Sequence, residues 1–137
     1  MTERLEPVPW TADMSVGVES IDLEHSMLVT LYNDLVHALN RPVSATTKRR
    51  YLDSVRSHLL THLAHEEAVL RSRGHPEIDA HVSDHRHGKA ALAALTDRPE
   101  EQVDLVEIAR FLRDWIIRHI MVDDREAFAA LPPDAAA

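Results

Sequence analysis

Three breaks govern what this chain can become. Asn40-Arg41-Pro42, Gly74-His75-Pro76 and Asp97-Arg98-Pro99-Glu100 interrupt an otherwise helical pattern of apolar residues. Proline lacks a backbone donor and pushes the residue before it out of α geometry, so helices stop there. Four long stretches remain. The first runs from Val18 or Glu19 to Leu39, with Ile21, Leu28, Leu31, Leu35 and Leu39 on one helical stripe. The second begins at Ser44, a suitable N-cap, and carries Tyr51, Leu52, Val55, Leu59, Leu60, Leu63 and Leu70 to about Arg71. The third takes about Ile78 to Leu95. The fourth opens at the Pro99 turn, since proline suits the first position of a helix. It carries Val103, Val106, Ile108, Phe111, Leu112, Trp115, Ile116, Ile120 and Phe128.

Short connections force neighbouring helices antiparallel, so the expected fold is all-α: an up-down-up-down antiparallel four-helix bundle. It should occupy residues 18–131. Residues 1–17, with Pro7, Pro9 and Gly17, read as an extended N-terminal arm packed on the bundle, its Trp10 set into the core. Residues 132–137 read as a disordered tail. A length of 137 residues suits one domain with one core, and only 3 glycines speak against a turn-rich sheet.

The absence of cysteine excludes disulfides, iron–sulfur clusters and thiolate zinc sites; any metal must be held by nitrogen and oxygen. A net charge of −8 disfavours nucleic acid and anionic membranes as partners. No apolar run is long enough to span a bilayer, and the first residues lack a secretory pattern, so the expected location is the cytoplasm.

The histidines carry the chemistry. His62 and Glu66 stand four residues apart, a spacing that puts both on one helical face. Alone, such a pair is more often a solvated surface pair. Three other segments, however, offer compatible donors: His25, the pair His81 and His85, and His119 with Asp123 or Asp124. Their positions run early, late, early, late in successive helices, and in an antiparallel bundle that places all four sets at one end. His58, which also precedes His62 by four, lacks a following carboxylate at that spacing, and His37, His58, His65, His75 and His87 read as solvated. The donors are too many for one tetrahedral zinc and too rich in nitrogen for calcium or magnesium. Two octahedral first-row ions bridged by both carboxylates and an oxide or hydroxide would use all of them and leave one position open. Imidazole with carboxylate suits iron or manganese.

The ordered set of motifs is similar to the hemerythrin family, in particular its single-domain bacterial members. It comprises Trp10, Val16-Gly17-Val18, Ile21-Asp22-Leu23-Glu24-His25, His62-x-x-x-Glu66, Gly74-His75-Pro76 before His81-x-x-x-His85, and Trp115-Ile116-Ile117-Arg118-His119-Ile120 before Asp124. The resemblance covers about residues 10–128. It implies a non-heme centre of two irons, cycling between Fe2+ and Fe3+, with a bridging oxide or hydroxide. It assigns His81, His85 and His119 to one iron and His25 and His62 to the other, with Glu66 and Asp124 bridging. The implied function is reversible dioxygen binding at the second iron, for transport, storage or sensing. A sensor would need a separate redox or signalling protein as partner. The alternatives are a di-iron enzyme, such as a peroxidase or a nitric oxide or peroxide scavenger, and, more remotely, a structural or storage metal protein.

Asp124 strains this assignment. Five residues on a regular helix amount to about 140° of rotation, so Asp123 shares a face with His119 and Asp124 does not. Using Asp124 requires a π-bulge or a long reach. Glu67 reads equally as a surface charge or as a partner for a ligand histidine, and Asp22 as a helix cap or such a partner. Two residues depart from the family's pattern: Leu63 and Gly88 stand where aromatic residues are common. Both substitutions remove bulk, so the expectation is a wider or wetter pocket and faster autoxidation, unless Met27 or Met121 fills the space.

Overall fold

A computed structural model describes residues 5–131. The described residues form no strand. Helix α1 spans Glu19–Ala38, α2 Ala45–Ser72 and α3 Ile78–Thr96. A fourth rod covers residues 105–129 and is not uniform: α4 (Leu105–Phe111) leads into π-helical turns at Leu112–Ile117 and His119–Asp124, and α5 (Arg125–Ala129) ends it. Backbone angles stay helical through every junction, as at Arg118 with φ −62° and ψ −42°. Helix α1 packs on α2 and on the fourth rod, and α3 packs on the same two, which closes a four-helix bundle.

The breaks work through identifiable caps. Ser44 accepts a hydrogen bond from the Thr47 N–H at 3.1 Å and starts α2. Gly74, with φ +72°, ends it in the left-handed conformation. The Gly74 N–H reaches the Arg71 carbonyl and the His75 N–H the Leu70 carbonyl, the double closure of a Schellman turn. His75 then accepts from the Glu77 N–H at 3.0 Å and helps launch α3. That explains why His75, expected in solvent, is buried.

Two sequence expectations need correction here. Pro99 begins only a short 3-10 turn, Glu100–Gln102; the chain then extends at Val103 (φ −78°, ψ 125°). The helix itself starts at Leu105, where Asp104 accepts from the Val106 N–H at 2.9 Å. Proline's fixed φ is equally at home in either turn, so the sequence did not separate them. Trp10 is also not core: it remains 38% exposed, while Met14 is buried in its stead and Leu5 and Val8 pack against the core. The arm is held by polar bonds. Val8 donates to and accepts from the Asn33 side chain at 2.7 and 2.8 Å, and the Tyr32 hydroxyl donates to the Glu6 carbonyl at 2.8 Å. The tail at 132–137 lies outside the described residues.

Apolar residues gather in two clusters of unequal size. The large one includes Leu28, Leu35, Leu59, Leu63, Ile108, Leu112, Ile116 and Ile120. The small one joins Ile21, Leu70, Ala127 and Phe128, with Val18 and Ile78 packed against it. Each member of the small cluster stands about one turn beyond a polar residue of the bundle's interior: Ile21 before His25, Leu70 after Glu66, Phe128 after Asp124. The polar layer is therefore closed between two apolar plugs.

Candidate metal centre

That layer contains all seven residues named from the sequence. His25, Glu66, His85 and Asp124 are fully buried at 0% exposure, and His62, His81 and His119 are nearly so. Two overlapping groups have donor atoms within 4.8 Å of one another: Glu66, His81, His85, His119 and Asp124, and His25, His62, Glu66 and Asp124. The two carboxylates belong to both groups, three histidines to one and two to the other. Glu66 Oε1 lies 2.7, 3.0 and 3.1 Å from Nε2 of His81, His85 and His119. Its Oε2 lies 3.0 and 3.3 Å from Nε2 of His62 and His25. Asp124 repeats the division, with Oδ2 2.8 Å from His25 and Oδ1 3.0 and 3.2 Å from His119 and His81.

Asp124 reaches the centre because the rod is π-helical from His119 to Asp124. Bonding from i to i+5 sets the fifth residue above the first, whereas Asp123, at the α spacing, is turned outward: its side chain is 40% exposed and stays 3.8 Å from His119 Nδ1. Among the decoys, His58 Nδ1 donates to the Ser54 carbonyl at 2.8 Å, and His37 and His87 are exposed.

The second nitrogens decide what the cluster can hold. His85 Nδ1 lies 2.7 Å from Glu67 and His62 Nδ1 2.8 Å from Glu24. A carboxylate accepts, so both Nδ1 atoms carry the proton, and in the neutral ring each Nε2 presents a lone pair. Those lone pairs face Glu66 oxygens at 3.0 Å. Lone pair against carboxylate in a buried site is repulsive unless a cation lies between them. Asp124 agrees: both its oxygens are buried with no well-directed hydrogen bond, despite three imidazoles in reach. The donor set fits a pair of bridged cations.

Without metal, protons take over this task. Burial opposes charging His81, but short contacts to Asp124 and Glu66 and their charges prevail, and its pKa is pushed up to about 9. His25 is raised against the same burial by the same two carboxylates, and His119 by Asp124, Asp123 and Glu66. Burial would raise Glu66, yet His119, His25, His62 and His81 hold it well below the ordinary range.

Glu67 is thus a partner of a site histidine, while Asp22 is neither cap nor such a partner: it ties the arm to α1, accepting from the Ser15 hydroxyl at 2.6 Å and the Val16 N–H at 2.8 Å. Sequence reading missed Glu24, which takes His62 and also His65, whose Nδ1 lies 2.9 Å from Oε2. Its signal was only adjacency to His25; the bond spans 38 residues. The expected gap at Gly88 is filled as well, by Trp115, whose indole stacks on His119 with centroids 4.8 Å apart. Neither Met27 nor Met121 does this. Leu63 is buried in the large apolar cluster.

A buried cluster of five histidines and two shared carboxylates at one end of a helical bundle defines a non-heme metal-binding protein. The model of the hemerythrin HHE cation binding domain matches residues 16–131, and the chain belongs to the hemerythrin family. It is 26% identical to bacteriohemerythrin of Stenotrophomonas maltophilia over 117 residues, which is 85% of this chain and 76% of that protein. It is likewise 26% identical to bacteriohemerythrin of Methylococcus capsulatus over 124 residues, 85% of this chain and 90% of the relative. Bacteriohemerythrin of Pseudomonas aeruginosa PAO1 matches at 24% over 84% of the chain and 75% of the relative. No helix among the described residues is long and apolar enough to cross a membrane.

Proposed function

We propose that this chain holds two iron ions and binds dioxygen reversibly. The observation that carries the reading is the convergence of tautomer-fixed histidine lone pairs on two shared, buried carboxylates. His81, His85 and His119 would hold one ion, His25 and His62 the other, and Glu66 and Asp124 would bridge. The metal pair, with a bridging oxide or hydroxide, would supply the electrons that dioxygen takes up on binding and returns on release. The protein's own part is to fix and seclude. Glu24 and Glu67 hold His62 and His85 in the ligating tautomer. The two apolar clusters keep bulk water from both ends of the layer. A cavity of about 260 Å³, lined by Glu24, Met27, Ser57, His58, Thr61 and His62, opens on the two-histidine side. With His25 and His62 as its only histidines, the ion on that side would have the spare coordination position, and the cavity reaches it at His62.

Metal analysis with visible spectroscopy tests the proposal. The expected result is about two iron ions per chain and an absorption band that appears under dioxygen and vanishes when it is removed, over repeated cycles. Steady consumption of a reductant or of peroxide in place of reversible cycling would replace the carrier reading with a di-iron scavenging enzyme. No spectral response from a reduced, iron-loaded sample would overturn both.

A further inference from the structure

The five histidines are not held alike. His62 and His85 each have a carboxylate on the second nitrogen. His119 has none: its Nδ1, like that of His25, is buried without a hydrogen-bond partner, and Asp123 stops 3.8 Å away. A metal-ligating imidazole ordinarily relies on such a bond for its orientation. His119 needs one more than the others do, because it opens the second of two π-helical turns that depart from the regular backbone ladder.

What touches His119 instead is an aromatic face. The Trp115 indole lies parallel to the imidazole, with an interplanar angle of 7° and centroids 4.8 Å apart. Phe111 backs the other side of the indole at 5.9 Å and 5°. The slot exists because residue 88 is glycine. A Cβ there would stand 2.2 Å from Trp115 Cζ2 and 2.4 Å from Cε2, far inside van der Waals contact, and the rigid indole has no flexible end to give way. Gly88 is in α3, one turn after His85, so the helix that supplies two of the site's histidines also admits the ring that steadies the third.

We propose that Trp115, seated by Gly88, is the positioning residue for His119, replacing by stacking the hydrogen bond that orients His62 and His85. The inference rests on the di-iron reading for its consequence, but the stack itself is measurable without metal. Loss of the stack loosens the ion on the three-histidine side and leaves the ion held by His25 and His62 nearly untouched.

The test compares Gly88→Ala, Trp115→Phe, Trp115→Leu and the double variant Gly88→Ala/Trp115→Leu. In the metal-free proteins, NMR of the His119 ring reports the ring-current shift from the indole, and thermal melting reports packing. In the iron-loaded proteins, release to a chelator is followed in time. The expected result is that Trp115→Phe, which keeps a π-face, releases both ions at wild-type rates. Trp115→Leu and Gly88→Ala should lose the ring-current shift and speed one release phase by roughly tenfold or more, the usual cost of a lost orienting partner. The double variant should match Trp115→Leu, since the clash and the stack are then removed together. Three outcomes overturn the inference: Trp115→Leu releasing iron at the wild-type rate, both phases accelerating in step with a lower melting temperature, or Trp115→Phe failing as badly as Trp115→Leu. A wild-type protein that shows the ring-current shift but takes up no iron would refute the di-iron reading and leave the stack standing.

Discussion

Helix α2 and the fourth rod do the same job in different ways. Each brings one histidine and one bridging-type carboxylate to the same end of the bundle. In α2 the pair is His62 and Glu66, four apart on a regular α-helix of 28 residues. In the fourth rod it is His119 and Asp124, five apart on a π-helical turn. The α2 histidine is held by a carboxylate on its second nitrogen, and the other by a stacked indole. Regular geometry needs only the right residues at the right spacing. The irregular turn needs its neighbours to hold it, and its ligand histidine takes support from a ring rather than from an acid.

Substitution at the irregular turn breaks the comparison most sharply. Asp124→Ala should abolish retention of both ions, because a buried residue shared by the two donor groups is removed. Asp123→Ala should keep both, since its side chain is 40% exposed and 3.8 Å from His119. Metal content after purification or reconstitution checks this, and the opposite pattern would mean that the rod is α-helical there. The next effect is smaller and belongs to the regular pair. Glu24→Gln and Glu67→Gln should each weaken iron binding by about 10–100-fold, on the two-histidine and three-histidine sides respectively. Equal weakening of both ions by either variant would show that the site does not respond residue by residue.

This contrast also marks what was legible in the sequence. The proline and glycine breaks set three helices to within a residue or two, because each break is a local event: Ser44 caps, Gly74 adopts a left-handed turn, and Pro42 cannot continue α1. The same-end alternation of donors followed from topology alone. Two kinds of feature were hidden. Trp10 and Met14 compete for the core from an arm with no periodicity, and only packing decides that Met14 is buried. Glu24 and Trp115 depend on contacts between helices, and Gly88 looked like lost bulk until a ring was seen in its place. The π turn lay between these cases: the five-residue spacing required it, but no residue type announced it.

Removing the metal brings out a pH dependence that the two regions share. In the metal-free protein His25, His81 and His119 have raised pKa values, so their stabilisation is complete below the unfolded value of 6.5 and is lost as pH rises through about 9, the folded value of His81. Glu66 is depressed, so its stabilisation is present above 4.5 and fades only as pH falls through its lowered value. Metal-free protein should therefore melt at a higher temperature near about pH 6 than near about pH 9.5. Iron-loaded protein should show the reverse tendency on the acid side, since ligand nitrogens must shed protons to bind. Identical melting curves across that range in the absence of metal would show that the cluster is not held by protonated histidines.

The smallest expected effect asks whether the two rods differ only at the site or along their whole length. Both start on a side-chain cap: Ser44 accepts from Thr47 at 3.1 Å, and Asp104 accepts from Val106 at 2.9 Å. Replacing such a cap by alanine costs about 1 kcal/mol. Ser44→Ala and Asp104→Ala should lower stability by similar amounts in denaturant titrations, with iron content unchanged, because both caps lie at the bundle end away from the metal cluster. If Asp104→Ala costs clearly more, or loosens the iron held by His119, the seven residues of α4 do not insulate the π-helical turns from the helix start, and the irregularity is a property of the whole rod. Equal costs confine the difference between α2 and the fourth rod to the turns around His119, where Trp115 and Gly88 bear on it.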